Sequence, residues 1–239
     1  MTSAATQLPP RFLSVGIEEG SDGAILVHGF GVPGCVGYGA NPEEALDDFA
    51  SRLADWLGFR ESARLWVPPR EAELEIAVDE WVGSEVAVGA GESQALFDDD
   101  LRPLTDREIN EALQLLGDLR GILLRSLRGV PQAEFDRLGT GAMSLRRIVD
   151  ELARAQWWTL TRLGASPMAE VPSHPVGRLD TSMALVVQQL TALDEEARER
   201  VLELDGEGWT PRKVLRRLLW LEWSLGRAAL HALEGEPDR

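Results

Sequence analysis

The sequence is short of the residues on which most catalytic and metal chemistry depends. Its 239 residues include a single cysteine, Cys35, and three histidines. A lone cysteine excludes an internal disulfide framework and fits a reducing compartment. His28, His174 and His231 have no metal-ligand spacing with one another. No histidine is placed to serve a serine or cysteine as general base, and nucleophile-elbow and P-loop patterns are missing. Long apolar runs are also lacking, and nothing approaches the roughly 20 residues needed to span a bilayer. The opening MTSAATQLPPRF has neither a basic nor an apolar signal-peptide region. Basic side chains are outnumbered: 24 Lys and Arg face 40 Asp and Glu, for a net charge of −16. That balance excludes a phosphate backbone as partner, because Lys and Arg supply nearly all of such affinity. The expectation is a cytoplasmic protein that binds neither nucleic acid nor membrane and whose acidity leaves room for a basic protein partner.

What is present is enough apolar residue, 44%, for one large domain or two small ones. Composition changes along the chain. Short β-type runs and many glycines extend to about Val88, and long apolar-periodic stretches follow Leu101. Between them, residues 83–93 are small and glycine-rich, and Asp98, Asp99 and Asp100 follow. Residues 83–103 are therefore expected to be a solvated linker between domains at 10–82 and 104–235. Three consecutive acids in such a linker do not converge on a cation, so they are expected to be solvated charge.

The first domain is expected to be a small α+β unit of order β-β-β-α-β. Leu13, Val15 and Ile17 alternate on one strand face, and residues 20–23 (GSDG) make a hairpin turn to a second run at residues 24–30. A helix opens with Asn41 as cap, Pro42 at its first position and Glu44 completing a capping box. Ala45, Leu46, Phe49, Leu53, Trp56 and Leu57 form its stripe, and Gly58 is the expected stop. Leu74, Ile76 and Val78 alternate with acids as a later half-buried strand. Residues 29–34 (GFGVPG) spell the dinucleotide fingerprint, but no helix opens on the third glycine, so the nucleotide reading is rejected. Residues 32–45 (VPGCVGYGANPEEA) instead resemble the strand-to-helix signature of HicB-like domains. That resemblance covers about residues 10–82 and implies a compact interaction domain, known mostly from antitoxins that neutralise small basic ribonucleases.

The second domain is expected to be all-helical. Thr105 and Glu108 form a capping box ahead of a stripe through Ile109, Leu113, Leu116, Leu119, Leu123 and Leu127. A second helix spans about residues 143–163, a third begins near Asp180, and a short turn follows from Asp194 to Leu204. A fourth starts at Thr210–Pro211. The proline-bearing connection at 164–177 is too long for a tight turn, and a crossover there gives helices two and three the same direction. Residues 144–163 (SLRRIVDELARAQWWTLTRL) and 208–225 (GWTPRKVLRRLLWLEWSL) resemble the second and fourth helices of the DinB-like bundle family. The resemblance implies an up-down-down-up four-helix bundle, often dimeric, several of whose members are metal-dependent thiol transferases. It carries the family's metal ligands onto Glu151, Leu221 and Leu225. Leucine donates no electron pair, so neither metal nor other cofactor is expected.

On a helical wheel Arg120, Gln156 and Glu222 fall inside apolar stripes. A buried guanidinium and carboxylate are costly unless paired. Two readings stay open: a structural Arg120–Glu222 ion pair completed by Gln156, or a polar ligand pocket walled by Trp158 or Trp223 with Glu151 at its rim. Cys35 reads as a small buried apolar residue. The basic pairs 146–147, 212–213 and 216–217 read as salt-bridge partners. Three functions compete: a non-catalytic bundle that binds a small molecule or dimerises, a transferase with carboxylate-substituted metal ligands, and an antitoxin-like regulator of a basic ribonuclease.

Overall fold

The computed structural model describes residues 11–68, 74–137, 139–140, 143–165 and 171–234. It divides into two units, Met1–Phe97 and Asp98–Arg239. The first is a mixed sheet with one helix; the second is mainly helical.

In the first unit the strands are β1 (Arg11–Glu19), β2 (Ile25–Gly29), β3 (Val36–Gly39) and β4 (Leu74–Gly83), in the order β3-β2-β1-β4. β1 pairs antiparallel with β2 and parallel with β4, the parallel return being made through α1 (Pro42–Ser62). The start of α1 follows from its sequence: Asn41 Oδ1 accepts from Glu44 N–H at 3.0 Å, and Pro42 sits in the first turn. Ala45, Phe49, Leu53 and Trp56 are buried, and the helix packs on β2 and β3. Its closeness to β3 depends on Gly37, where a Cβ would strike the Ala45 carbonyl and Phe49. The expected stop at Gly58 is corrected. The helix continues to Ser62, because buried Arg60 holds its last turn, and Arg64 closes it at φ 59° with Leu65 N–H on the Arg60 carbonyl. In β4 the alternation holds only as far as a bulge opposite Val15 and Gly16. It leaves Val78 exposed and passes Asp79 over, so that Trp81 opposes Ile17.

The expected linker is the main correction. Residues 84–97 are packed on the sheet: Ser21 N–H donates to the Val86 carbonyl, Ser84 N–H to the Glu19 carbonyl and Gly89 N–H to Asp22. Val88, Ala95 and Phe97 are buried. Gly16 makes room for Phe97, since a Cβ there would lie 2.6 Å from its ring. Small residues and glycines allow this segment to lie close, and its apolar side chains are enough to hold it.

In the second unit a 3-10 turn (Asp98–Leu101) leads into α2 (Asp106–Leu127), a short α3 (Glu134–Arg137) and the ribbon β5 (Gly139–Thr140) and β6 (Met143–Ser144). There follow α4 (Leu145–Thr161), α5 (Pro175–Thr191), α6 (Glu195–Glu199), the ribbon β7 (Leu202–Leu204) and β8 (Glu207–Trp209), and α7 (Pro211–Glu234). The Thr105–Glu108 capping box is present in both directions. α5 begins five residues before Asp180, because His174 Nδ1 caps Val176 N–H at 3.2 Å and Pro175 takes the first turn. Its buried face is Leu179, Ser182, Val186 and Leu190, while Val187 is exposed. Much of the expected crossover, residues 166–170, lies outside the described residues. Extensive packing joins α2 to α5 and α7, and α4 to the same two helices. One core cluster unites Leu123 and Leu127 of α2, Leu145 to Ala153 of α4, Leu179 of α5, and Ala229 and Ala232 of α7. Among the described residues, no helix is long and apolar enough to cross a membrane.

Candidate functional site

Three of the sequence-selected residues meet at the centre of the second unit. Arg120 Nε donates to Glu222 Oε1 at 2.9 Å, and its Nη2 donates to Glu222 Oε2 and Gln156 Oε1, each at 2.8 Å. Gln156 Nε2 donates to Glu222 Oε2 at 2.6 Å, and Arg120 Nη1 donates to the Leu179 carbonyl. Ser182 Oγ completes the set, lying 2.9 Å from Gln156 Oε1 and 3.0 Å from the Leu179 carbonyl oxygen. All four side chains are at most 3% exposed. Each comes from a different helix, so the network ties α2, α4, α5 and α7 together. Ser182 was missed because a lone serine in an apolar helix carries no wheel signal of its own.

Chemically the network is closed. Glu222 is held by a guanidinium and an amide, Gln156 uses both ends, and no group is left to bind or deprotonate a substrate. The remaining candidates are elsewhere. Glu151 faces outward and is engaged by Arg154 at 2.5 and 3.0 Å. Trp223 is buried with the Arg227 guanidinium 5.0 Å from its ring centroid. Trp158 meets Trp209 edge-on at 5.5 Å, with Arg162 4.3 Å and Arg217 5.3 Å from its ring centroid. The chain's one lysine, Lys213, lies over Trp209 at 4.5 Å and donates to Glu207 at 2.7 Å. Burial lowers its pKa, and the Glu207 contact opposes that shift. Trp158, expected as a pocket wall, thus lies among Trp209 and two guanidiniums, away from the Arg120–Glu222 contacts.

The donors required for a metal do not fit. Leu221 and Leu225 pack against the core cluster and offer no lone pair, and the Glu151 carboxylate is taken by Arg154. Among the described residues no three His, Cys, Asp or Glu could hold a metal ion together. Asp100 also departs from expectation. It is not solvated but is buried and bidentate to Arg216, at 3.1 and 2.7 Å. Of the other basic spots, Arg146 pairs with Asp136 and Arg212 with Glu108, whereas Arg147 is exposed.

A second buried constellation, in the first unit, carries no sequence signature. Glu18 Oε2 accepts from Ser93 Oγ at 2.6 Å and lies 3.1 Å from His28 Nε2, while its Oε1 accepts from the N–H groups of Gln94 and Ala95. Burial alone would raise the carboxyl's pKa, but the His28 contact and the Ser93 and Gln94 hydrogen bonds outweigh it, so it titrates well below the usual range. The residue types suggest a triad, yet the order does not. The carboxylate stands between serine and imidazole, whereas a triad places the imidazole between serine and carboxylate. The set is a clasp that fastens residues 93–95 to β1. Cys35 is equally inert, its thiol pushed up to about 12 by burial.

Comparison with protein-family models, curated proteins and solved structures finds no match.

Proposed function

We propose that this chain is a non-catalytic, two-module binding protein. Its second unit is a DinB-like four-helix bundle without the family's metal centre, and its first is a HicB-like interaction module for a basic protein partner. The observation that carries this reading is the closed Arg120–Gln156–Ser182–Glu222 network, which fills the bundle centre with satisfied polar groups. Support for an up-down-down-up connectivity comes from which helix ends meet. The core cluster lies C-terminal to Arg120 on α2 and to Glu222 on α7, but N-terminal to Gln156 on α4 and to Ser182 on α5. On this reading α2 and α7 run together, and α4 and α5 run against them. The replacement of donors by Leu221 and Leu225 argues against a transferase with substituted ligands, since Glu151 alone cannot hold an ion.

A cytoplasmic, dimeric protein with a small-molecule site on the bundle completes the reading. Elemental analysis tests it: protein purified without chelator is expected to hold no stoichiometric zinc, nickel or iron. One tightly held ion per chain would overturn it.

A further inference from the structure

On the outer side of α4, facing the start of α5, lies a cleft of about 380 Å³ whose walls carry four arginines and only two carboxylates. In a protein of charge −16 such a local excess of cations is unusual. We infer that this cleft is a binding site for a small organic anion, a carboxylate or phosphate on a flat apolar body. The inference rests on the proposed binding role of the helical unit and supplies its ligand class.

Three observations carry it. First, the cations are unequally engaged. Arg154 is paired with Glu151, Arg178 lies 2.9 Å from Asp150, and Arg146 is held by Asp136 outside the cleft. Arg147 is exposed, and its guanidinium has no acid partner among the described residues. The paired arginines are thereby fixed in place, and Arg147 remains to meet a ligand charge.

Second, the helix itself adds to the field. α4 has no acid in its first turn, where acids are favoured, and instead begins Leu145-Arg146-Arg147. Two guanidiniums at the positive end of a 17-residue helix oppose helix stability unless an anion is nearby. Third, the wall contains Trp157, whose indole N–H is buried with no hydrogen-bond acceptor among the described residues. Its ring, with Ala153 and exposed Val171, provides a flat apolar surface against which the body of a ligand can lie.

The test uses the full chain, with 2-naphthoate as probe and the uncharged 2-naphthamide as control, by isothermal titration in the presence of EDTA. Saturable naphthoate binding about tenfold tighter than that of the amide is expected, a ratio of the size one charge-assisted contact gives. Arg147→Gln should lower naphthoate affinity about tenfold and leave amide binding alone; because Arg147 is exposed, the fold should be unaffected. Trp157→Ala, which removes the flat wall, should weaken naphthoate and naphthamide alike, each about tenfold. Equal binding of acid and amide, an unchanged affinity in Arg147→Gln, or no saturation by about 5 mM naphthoate would overturn the site while leaving the metal-free bundle intact. Binding that EDTA abolishes and Arg147→Gln does not touch would instead overturn the metal-free reading.

Discussion

At the scale of single residues, two of the buried acids of this protein, Glu222 and Glu18, do different work with similar chemistry. Glu222 neutralises a guanidinium between four helices, whereas Glu18 collects donors from a segment that would otherwise leave the sheet. Removing one partner of a buried pair costs more than the pair contributes, because the survivor keeps its desolvation penalty. Glu222→Leu therefore strands Arg120 and is expected to destabilise the protein by about 3–5 kcal/mol in urea unfolding. The double variant Arg120→Met/Glu222→Leu should recover most of that loss. If the double variant is no better than the single one, the network is not the balanced unit described. Glu18 gives a pH signature. Its carboxyl is depressed in the folded state, so its stabilisation is fully present above the unfolded value near 4.3 and is lost as pH falls below it. Glu18→Gln should cost about 2 kcal/mol at neutral pH and flatten the decline in stability between pH 5 and 3, read from chemical unfolding at each pH.

Secondary-structure elements show where sequence signals are sufficient. Asn41, Thr105 and Thr210 were legible as helix starts because capping is local: the side chain and the amide it accepts from are about three residues apart. Ends and faces were less legible because distant residues decide them. Arg60 extends α1 past Gly58 through tertiary burial, and His174, not a usual cap, moves the start of α5. The bulge in β4 depends on its pairing with β1, which no local pattern records. The α2 cap also shows how a local motif gains long-range value. Glu108 accepts from Thr105 and receives both arms of Arg212 on α7, at 2.7 and 3.0 Å. Burial raises its pKa, but the Arg212 and Thr105 hydrogen bonds prevail and bring it down to about 2. Thr105→Ala removes one cap acceptor and should cost about 1 kcal/mol. Glu108→Ala should cost more, because it also releases Arg212. Equal losses in thermal unfolding would mean that the Arg212 contact contributes nothing.

For the whole molecule, composition located the change from sheet to helices. It did not locate the boundary. Glycine and small residues at 83–93 look like a linker when each is judged by what it can bury alone. In the structure Val88 is buried against the first unit, Ser84 and Gly89 donate their N–H groups to the Glu19 carbonyl and Asp22, and Glu18 accepts from Gln94 and Ala95 just beyond. The candidate site divided the same way: Arg120, Gln156 and Glu222 were visible as polar interruptions of apolar stripes, whereas Ser182 and the Glu18 clasp required the fold to bring them together. The corrected boundary, between Phe97 and Asp98, makes a sharp prediction. A fragment ending at Phe97 keeps the Ser93, Gln94 and Ala95 donors and the Phe97 ring against Phe30 and His28. A fragment ending at Val82 loses all of them and leaves Glu18 and His28 on an uncovered face. The longer fragment should unfold cooperatively in urea and show protected amides in β1 and β2, while the shorter should be largely unprotected in hydrogen exchange. Equal protection in the two fragments would return residues 83–97 to the status of a linker and remove the structural role assigned to Glu18.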